Sequence, residues 1–132
     1  MRVKWLDHVN VIASDLEATS QFYAEIFGLE RRDAPPPLTQ EDAQWMYDAD
    51  GKAIIHVNSL TCRRTFPREI VPGPTGSIHH VALSCEGYDE MGARLTAARL
   101  EHHCNSVPAI GLRQIFTMDP NGVLFELNFF GD

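Results

Sequence analysis

The chain repeats itself. Val9 and Val81, Leu16 and Tyr88, and Tyr23 and Leu95 each stand 72 residues apart, and Asp50-Gly51 precedes Asn121-Gly122 by 71. Self-similarity of this kind constrains the fold more than any single motif, because side chains that correspond in sequence must also correspond in space. Each copy reads strand–helix–strand–strand–strand. The copies span about residues 1–60 and 77–132, with a linker at about 61–76, and the 132-residue length is that of one domain.

In the first copy, residues 3–12 alternate as a strand, with Val9 and Val11 on one face and Leu6, His8, Asn10 and Ile12 on the other. Ser14-Asp15-Leu16-Glu17 has the Ser-x-x-Glu form of a capping box, and Leu16, Thr19, Tyr23, Ile26 and Phe27 make one helical stripe ending at Gly28. A short strand over Leu29–Arg32 stops at Pro35-Pro36-Pro37. Ala43–Tyr47 and Ala53–Leu60 are two further strands, joined at Asp48-Ala49-Asp50-Gly51. The stretch Thr61–Ser77 is rich in Pro and Gly and carries Arg63-Arg64, which are expected at its surface.

The second copy opens with a strand over Ile78–Ser84. A helix follows from Gly87-Tyr88-Asp89 to about Leu100, with Tyr88, Met91, Leu95 and Ala98 as its buried stripe. His102 and His103 are read as lying at the end of that helix, where cations suit its dipole. Leu112–Met118 and Val123–Phe130 form the last hairpin, turning at Asn121-Gly122, a pair that tolerates positive φ.

Composition excludes several classes. A net charge of −7 with no Lys/Arg run argues against a nucleic-acid partner. Three cysteines at no metal-ligand spacing fit a reducing compartment. Neither a signal peptide nor an apolar stretch of membrane-spanning length is seen, so a cytoplasmic protein without a membrane partner is expected.

The chemistry lies in a pattern shared by four strands: His8-Val9-Asn10, His56-Val57-Asn58, His80-Val81-Ala82 and Glu126-Leu127-Asn128. Each sets a possible metal ligand and the residue two further on to one face, and an apolar residue to the other. In the last strand, Val123, Phe125, Leu127 and Phe129 form a wholly apolar face, so Glu126 belongs with Leu124, Asn128 and Phe130. A carboxylate there needs water or a partner. Three imidazoles and a carboxylate on a curved sheet make a divalent-metal site for Fe, Ni, Zn, Co or Mn. Asn10, Asn58 and Asn128 then support the ligands or meet substrate oxygens. His56 lies five residues past Gly51, whereas Glu126 lies four past Gly122, so either the hairpins differ by one residue or His56 points outward. His79 falls on the apolar side with Val81 and Leu83. Arg113 is a candidate clamp for a substrate carboxylate, with a solvated strand-end role as the alternative.

These residues resemble the vicinal oxygen chelate superfamily, which includes glyoxalase I, methylmalonyl-CoA epimerase, extradiol dioxygenases and fosfomycin and bleomycin resistance proteins. The resemblance rests on Asp7-His8-Val9, Phe22-Tyr23-x-x-x-Phe27-Gly28-Leu29, His79-His80-Val81-Ala82-Leu83, and Asp119-Pro120-Asn121-Gly122 leading to Glu126-Leu127. It implies an α+β fold of paired βαβββ modules, forming a cupped, barrel-like mixed sheet with helices outside. It also implies metal ligation by His8, His80 and Glu126, with His56 at a fourth ligand position that is usually Glu or Gln. Glyoxalase I-like lyase or isomerase chemistry on a small substrate with two adjacent oxygens is implied first, with Glu126 as general base. Extradiol ring cleavage is the alternative, with His56 as the acid–base residue, although Phe116 stands where those enzymes carry Tyr. A metal-free binding or resistance protein is the third reading. Two-module chains of this superfamily commonly dimerise, so a homodimer is expected.

Overall fold

A computed structural model describes residues 1–62 and 73–131, so Arg63, Arg64 and most of the expected linker lie outside the described residues. The chain divides into two compact units, Met1–Gly73 and Pro74–Asp132. The first unit runs β1 (Val9–Ala13), α1 (Leu16–Glu25), β2 (Glu30–Asp33), β3 (Ala43–Tyr47) and β4 (Ala53–Ser59). The second runs β5 (Val81–Cys85), α2 (Tyr88–Ala97), β6 (His102–Val107), β7 (Leu112–Met118) and β8 (Leu124–Phe130), with a short 3₁₀ turn at Pro108–Ile110. The sheets have orders β1-β4-β3-β2 and β5-β8-β7-β6. In each, the first strand pairs in parallel with the last and the other pairings are antiparallel. This is an α+β fold of two βαβββ modules, and neither sheet closes into a barrel. No helix among the described residues is long and apolar enough to cross a membrane.

Packing follows the alternation. Val11, Ala13, Met46, Ile55 and Val57 are buried in unit one, as are Thr19, Phe22 and Tyr23 of α1. In unit two Ile115, Phe125, Leu127 and Phe129 are fully buried, and Met91 and Leu95 of α2 are buried too. The Tyr88 ring meets Phe129 edge-on, 5.3 Å between centroids. Burying each of the Val, Leu, Ile, Met and Phe side chains among these contributes about 1.5–3 kcal/mol. The opposite face of each sheet is mixed, and it carries the polar residues His56, Asn10 and Asn58 in unit one and Glu126, Asn128 and Gln114 in unit two.

Local signals differ from expectation in several places, among them strands β1 and β5, which begin at Val9 and Val81, and Ala98, which is exposed. The first helix is capped by Asp15, whose carboxylate accepts from the Ala18 N–H at 2.9 Å, and not by Ser14. Glu17 does not complete a box. It takes a bidentate pair of bonds from Arg31, and that hydrogen bonding holds its carboxyl below the ordinary range. His102 and His103 are not at a helix end, because α2 stops at Ala97 and both lie on β6, opposite Thr117 and Phe116. The sequence HHCNSV lacks an apolar alternation, since β6 is an edge strand exposed along most of its length.

The two hairpin turns are one structure built twice. Asp48 N–H bonds the Lys52 carbonyl, and Asp119 N–H bonds that of Val123. Each Asp carboxylate also accepts from two backbone N–H groups of its own loop, Asp50 and Lys52 or Asn121 and Val123. Gly51 and Gly122 take φ of +76° and +81°, which is why both positions are glycine. Asn121 itself does not adopt positive φ. The one-residue mismatch falls after the first turn: Met46 pairs with Ile55 and Tyr47 with Ala53, so Ile54 is an extra residue, a β-bulge.

Candidate functional site

In unit one the bulge decides where His56 points. With Ile54 extra, His56 lies opposite Trp45 on β3 and Asn10 on β1, so all three share the polar face. His56 is 6% exposed. Its ring is stacked on Trp45 at 3.9 Å with an interplanar angle of 3°, and on His8 at 3.8 Å and 17°. The Trp45 indole N–H is buried with no hydrogen-bond partner among the described residues. Asn10 donates to Asn58 Oδ1 at 2.9 Å, and the fully buried Asn58 donates to Cys62 Sγ at 3.1 Å.

His8 precedes β1 instead of lying within it, so its side chain stands at the strand mouth, about one-third exposed. Its Nδ1 donates to Asp7 Oδ2 at 2.7 Å. That bond leaves the Nε2 lone pair outward, the usual preparation of a metal-binding imidazole.

In unit two β8 sets Glu126 opposite Ala82 and Phe116, and Asn128 opposite Ser84 and Gln114. Gln114, 8% exposed, organises this face. Its Nε2 donates to Glu126 Oε1 and to Asn128 Oδ1, both at 2.9 Å, while its own oxygen accepts from Asn105 at 2.8 Å. Asn128 donates in turn to Glu126 Oε1 at 2.9 Å. One carboxylate oxygen is therefore held twice by amides. The other, Oε2, stands 3.2 Å from His80 Nε2. His80 also precedes its strand, with His79, exposed, 3.0 Å from its Nδ1.

Arg113 is not on this face. It lies opposite Phe129, its guanidinium 3.5 Å over the Tyr88 ring and 3.0 Å from Asp89 Oδ1, on the side of α2. Strand parity with Glu126 turns it away, so the expected reach into the cup is not met. Gln114 and Asn105 are the polar residues that reading overlooked. Gln114 was recoverable from the same parity, because it sits two residues from Phe116, the direct neighbour of Glu126.

The structure thus brings His8 together with His56, and His80 together with Glu126. Among the described residues no three His, Cys, Asp or Glu side chains converge. The donors present nonetheless suit a divalent ion. Imidazole and carboxylate are its ordinary ligands, and the 3.2 Å between His80 and Glu126 is what two ligands of one ion adopt when each bonds at about 2.1 Å.

The model of the Glyoxalase/Bleomycin resistance protein/Dioxygenase superfamily matches residues 5–127. The chain belongs to that superfamily, which contains many enzymes and whose members usually use divalent metals. A search of curated proteins finds no match. Among solved structures, a protein assigned to the glyoxalase family from Bacillus anthracis is 21% identical, covers 98% of both chains and gives a TM-score of 0.70. The genomically encoded fosfomycin resistance protein FosX from Listeria monocytogenes is 20% identical over 97% of this chain and 94% of its own, with a TM-score of 0.67. Lactoylglutathione lyase from Agrobacterium tumefaciens is 19% identical over 98% and 96%, with a TM-score of 0.64. Identities this low establish a shared fold.

Proposed function

We propose that this chain is a cytoplasmic, divalent-metal-dependent enzyme that binds a small molecule through two adjacent oxygens, with glyoxalase I-like lyase or isomerase chemistry. The observation that supports this reading is the state of Glu126. Its Oε1 is occupied by Gln114 and Asn128, and its Oε2 is turned to His80. A carboxylate held in this way has one oxygen fixed and one available to a cation or a proton. His8, His80 and Glu126 would hold the ion, with His56 the remaining candidate of the four. When bound, the ion supplies Lewis-acid polarisation of the substrate oxygens. Released from the ion, Glu126 would take a proton from one carbon through Oε2 and return it to the next. The exposed Asn10, steadied by Asn58, offers its side-chain oxygen to a substrate hydroxyl. Asn128 acts through Glu126.

The test is metal content after anaerobic purification without chelator. Near-stoichiometric nickel, cobalt or zinc supports the lyase or isomerase reading, and no metal even after reconstitution overturns it in favour of a metal-free binding protein. A second reading, oxidative cleavage of a catechol ring, is favoured by the stacking of His56, which leaves two histidines and one carboxylate as a set suited to Fe(II). Near-stoichiometric iron supports it. We also propose a homodimer, which a monomer mass by light scattering at micromolar concentration would sink.

A further inference from the structure

We infer that His56 does not ligate the metal: it is the middle plate of a three-ring stack, based on Trp45, that holds His8 in its ligating orientation. This rests on the metal-dependent reading above and concerns which side chains carry it.

A metal bound to an imidazole nitrogen lies in the plane of the ring, at about 2 Å. The His8 and His56 rings are 3.8 Å apart and only 17° from parallel. Planes so disposed meet on the order of 10 Å away, far beyond that bonding distance. No single ion satisfies both rings as they stand. The arrangement is also anchored from the other side. Trp45 is the direct cross-strand neighbour of His56 and lies parallel to it within 3°. Its indole N–H has no partner among the described residues, so the position is occupied for the ring face and not for a hydrogen bond. Turning His56 toward a metal shared with His8 would break contact with one plate or the other.

His8 needs such a support. It stands one residue before β1, outside the ladder, and among the described residues the Asp7 bond at its Nδ1 and the ring contact with His56 are what fix its plane. The corresponding histidine of unit two, His80, has no ring stacked on it among the described residues; His79 meets it edge-on at 85°. Trp45 and His56 are thus positioning residues for His8.

The experiment is cobalt(II) titration of the full chain, read by affinity and by ligand-field absorption, together with NMR of the metal-free protein. His8→Ala should weaken cobalt binding more than about 100-fold. His56→Phe, which keeps a ring but no nitrogen, should stay within about 3-fold with an unchanged absorption spectrum. His56→Ala and Trp45→Leu should each weaken binding about 10-fold, in the range seen when supports of ligands are removed. In the metal-free chain the ring protons of His56 should be shifted upfield, and Trp45→Leu should abolish the shift. The inference is overturned if His56→Phe loses as much affinity as His8→Ala, if its absorption bands move, or if the His56 protons ignore Trp45→Leu. Failure of the unaltered chain to bind cobalt overturns the metal reading itself, and this inference with it, before any variant is made.

Discussion

The two modules solve one positioning problem with different chemistry. Row for row their sheets correspond: Asn10, His56 and Trp45 in unit one occupy the places of Ala82, Glu126 and Phe116 in unit two. Unit one fixes its central group by ring faces, with indole, imidazole and imidazole in parallel. Unit two fixes its central group by amide hydrogen bonds running Asn105, Gln114, Asn128, Glu126. Stacking suits a flat ring whose plane matters. Amide bonds suit a carboxylate, because they satisfy one oxygen and leave the other its lone pairs. On the function proposed above, the same backbone position holds a support in one copy and a reacting group in the other.

Substitutions at matching positions separate the two modules. Glu126→Gln removes the acceptor charge while keeping the shape, and turnover should fall about 10³-fold, within the range for a lost general base. His56→Gln, at the corresponding position, should cost far less, and equal losses would erase the distinction. In the cores, Phe125→Ala should destabilise by about 3–5 kcal/mol and its counterpart Ile55→Ala by about 2–5 kcal/mol, measured by urea denaturation. Gln114→Leu should lower metal affinity about 10–100-fold, because Glu126 loses one of its two amide donors. An affinity unchanged in Gln114→Leu would show that the network is not what holds the carboxylate. Asp48→Ala and Asp119→Ala, in matching turns, should each cost about 1–2 kcal/mol. Clearly different costs would mean the turns are alike in shape only.

The smallest effect is a titration. Burial pushes the Cys85 thiol up to about 11, from an ordinary value of 9.0. The folded chain then holds this proton more tightly than the unfolded chain. The associated stability is present below about pH 9 and is lost as pH rises through about 11. Denaturation midpoints of the unaltered chain and Cys85→Ala should converge across that interval. At neutral pH the exposed Cys104 should alkylate well before Cys85.

Much of this was legible in the chain. The repeat gave both modules, and period-two alternation gave the apolar face of β8, fully buried at Phe125, Leu127 and Phe129. It also set Glu126 and Asn128 on the face opposite. What escaped has physical causes. β6 is an exposed edge, so no hydrophobic period marks it, and without one its two histidines read as a helix terminus. Asp15 and Ser14 are both good caps, and only the bond to Ala18 distinguishes them. Of the two readings of Arg113, the clamp fails on parity, since Arg113 lies opposite Phe129 and not on the face of Glu126. The stack on Trp45 depends on a cross-strand register that no local window contains.

Ile54 carries a consequence of its own. The turn at Asp48–Lys52 is closed by its own backbone and one carboxylate, so it is indifferent to the phase of the strand that leaves it. The bulge is the phase shifter: one residue inserted there reverses which side chains of β4 face the helix. Deleting Ile54 would force a choice between keeping the turn and keeping His56 and Asn58 on the polar side. Exchanging the two turn loops, by contrast, should leave both strands in phase. A single isoleucine with no polar group of its own thus sets the face of the sheet on which His56 and Asn58 stand.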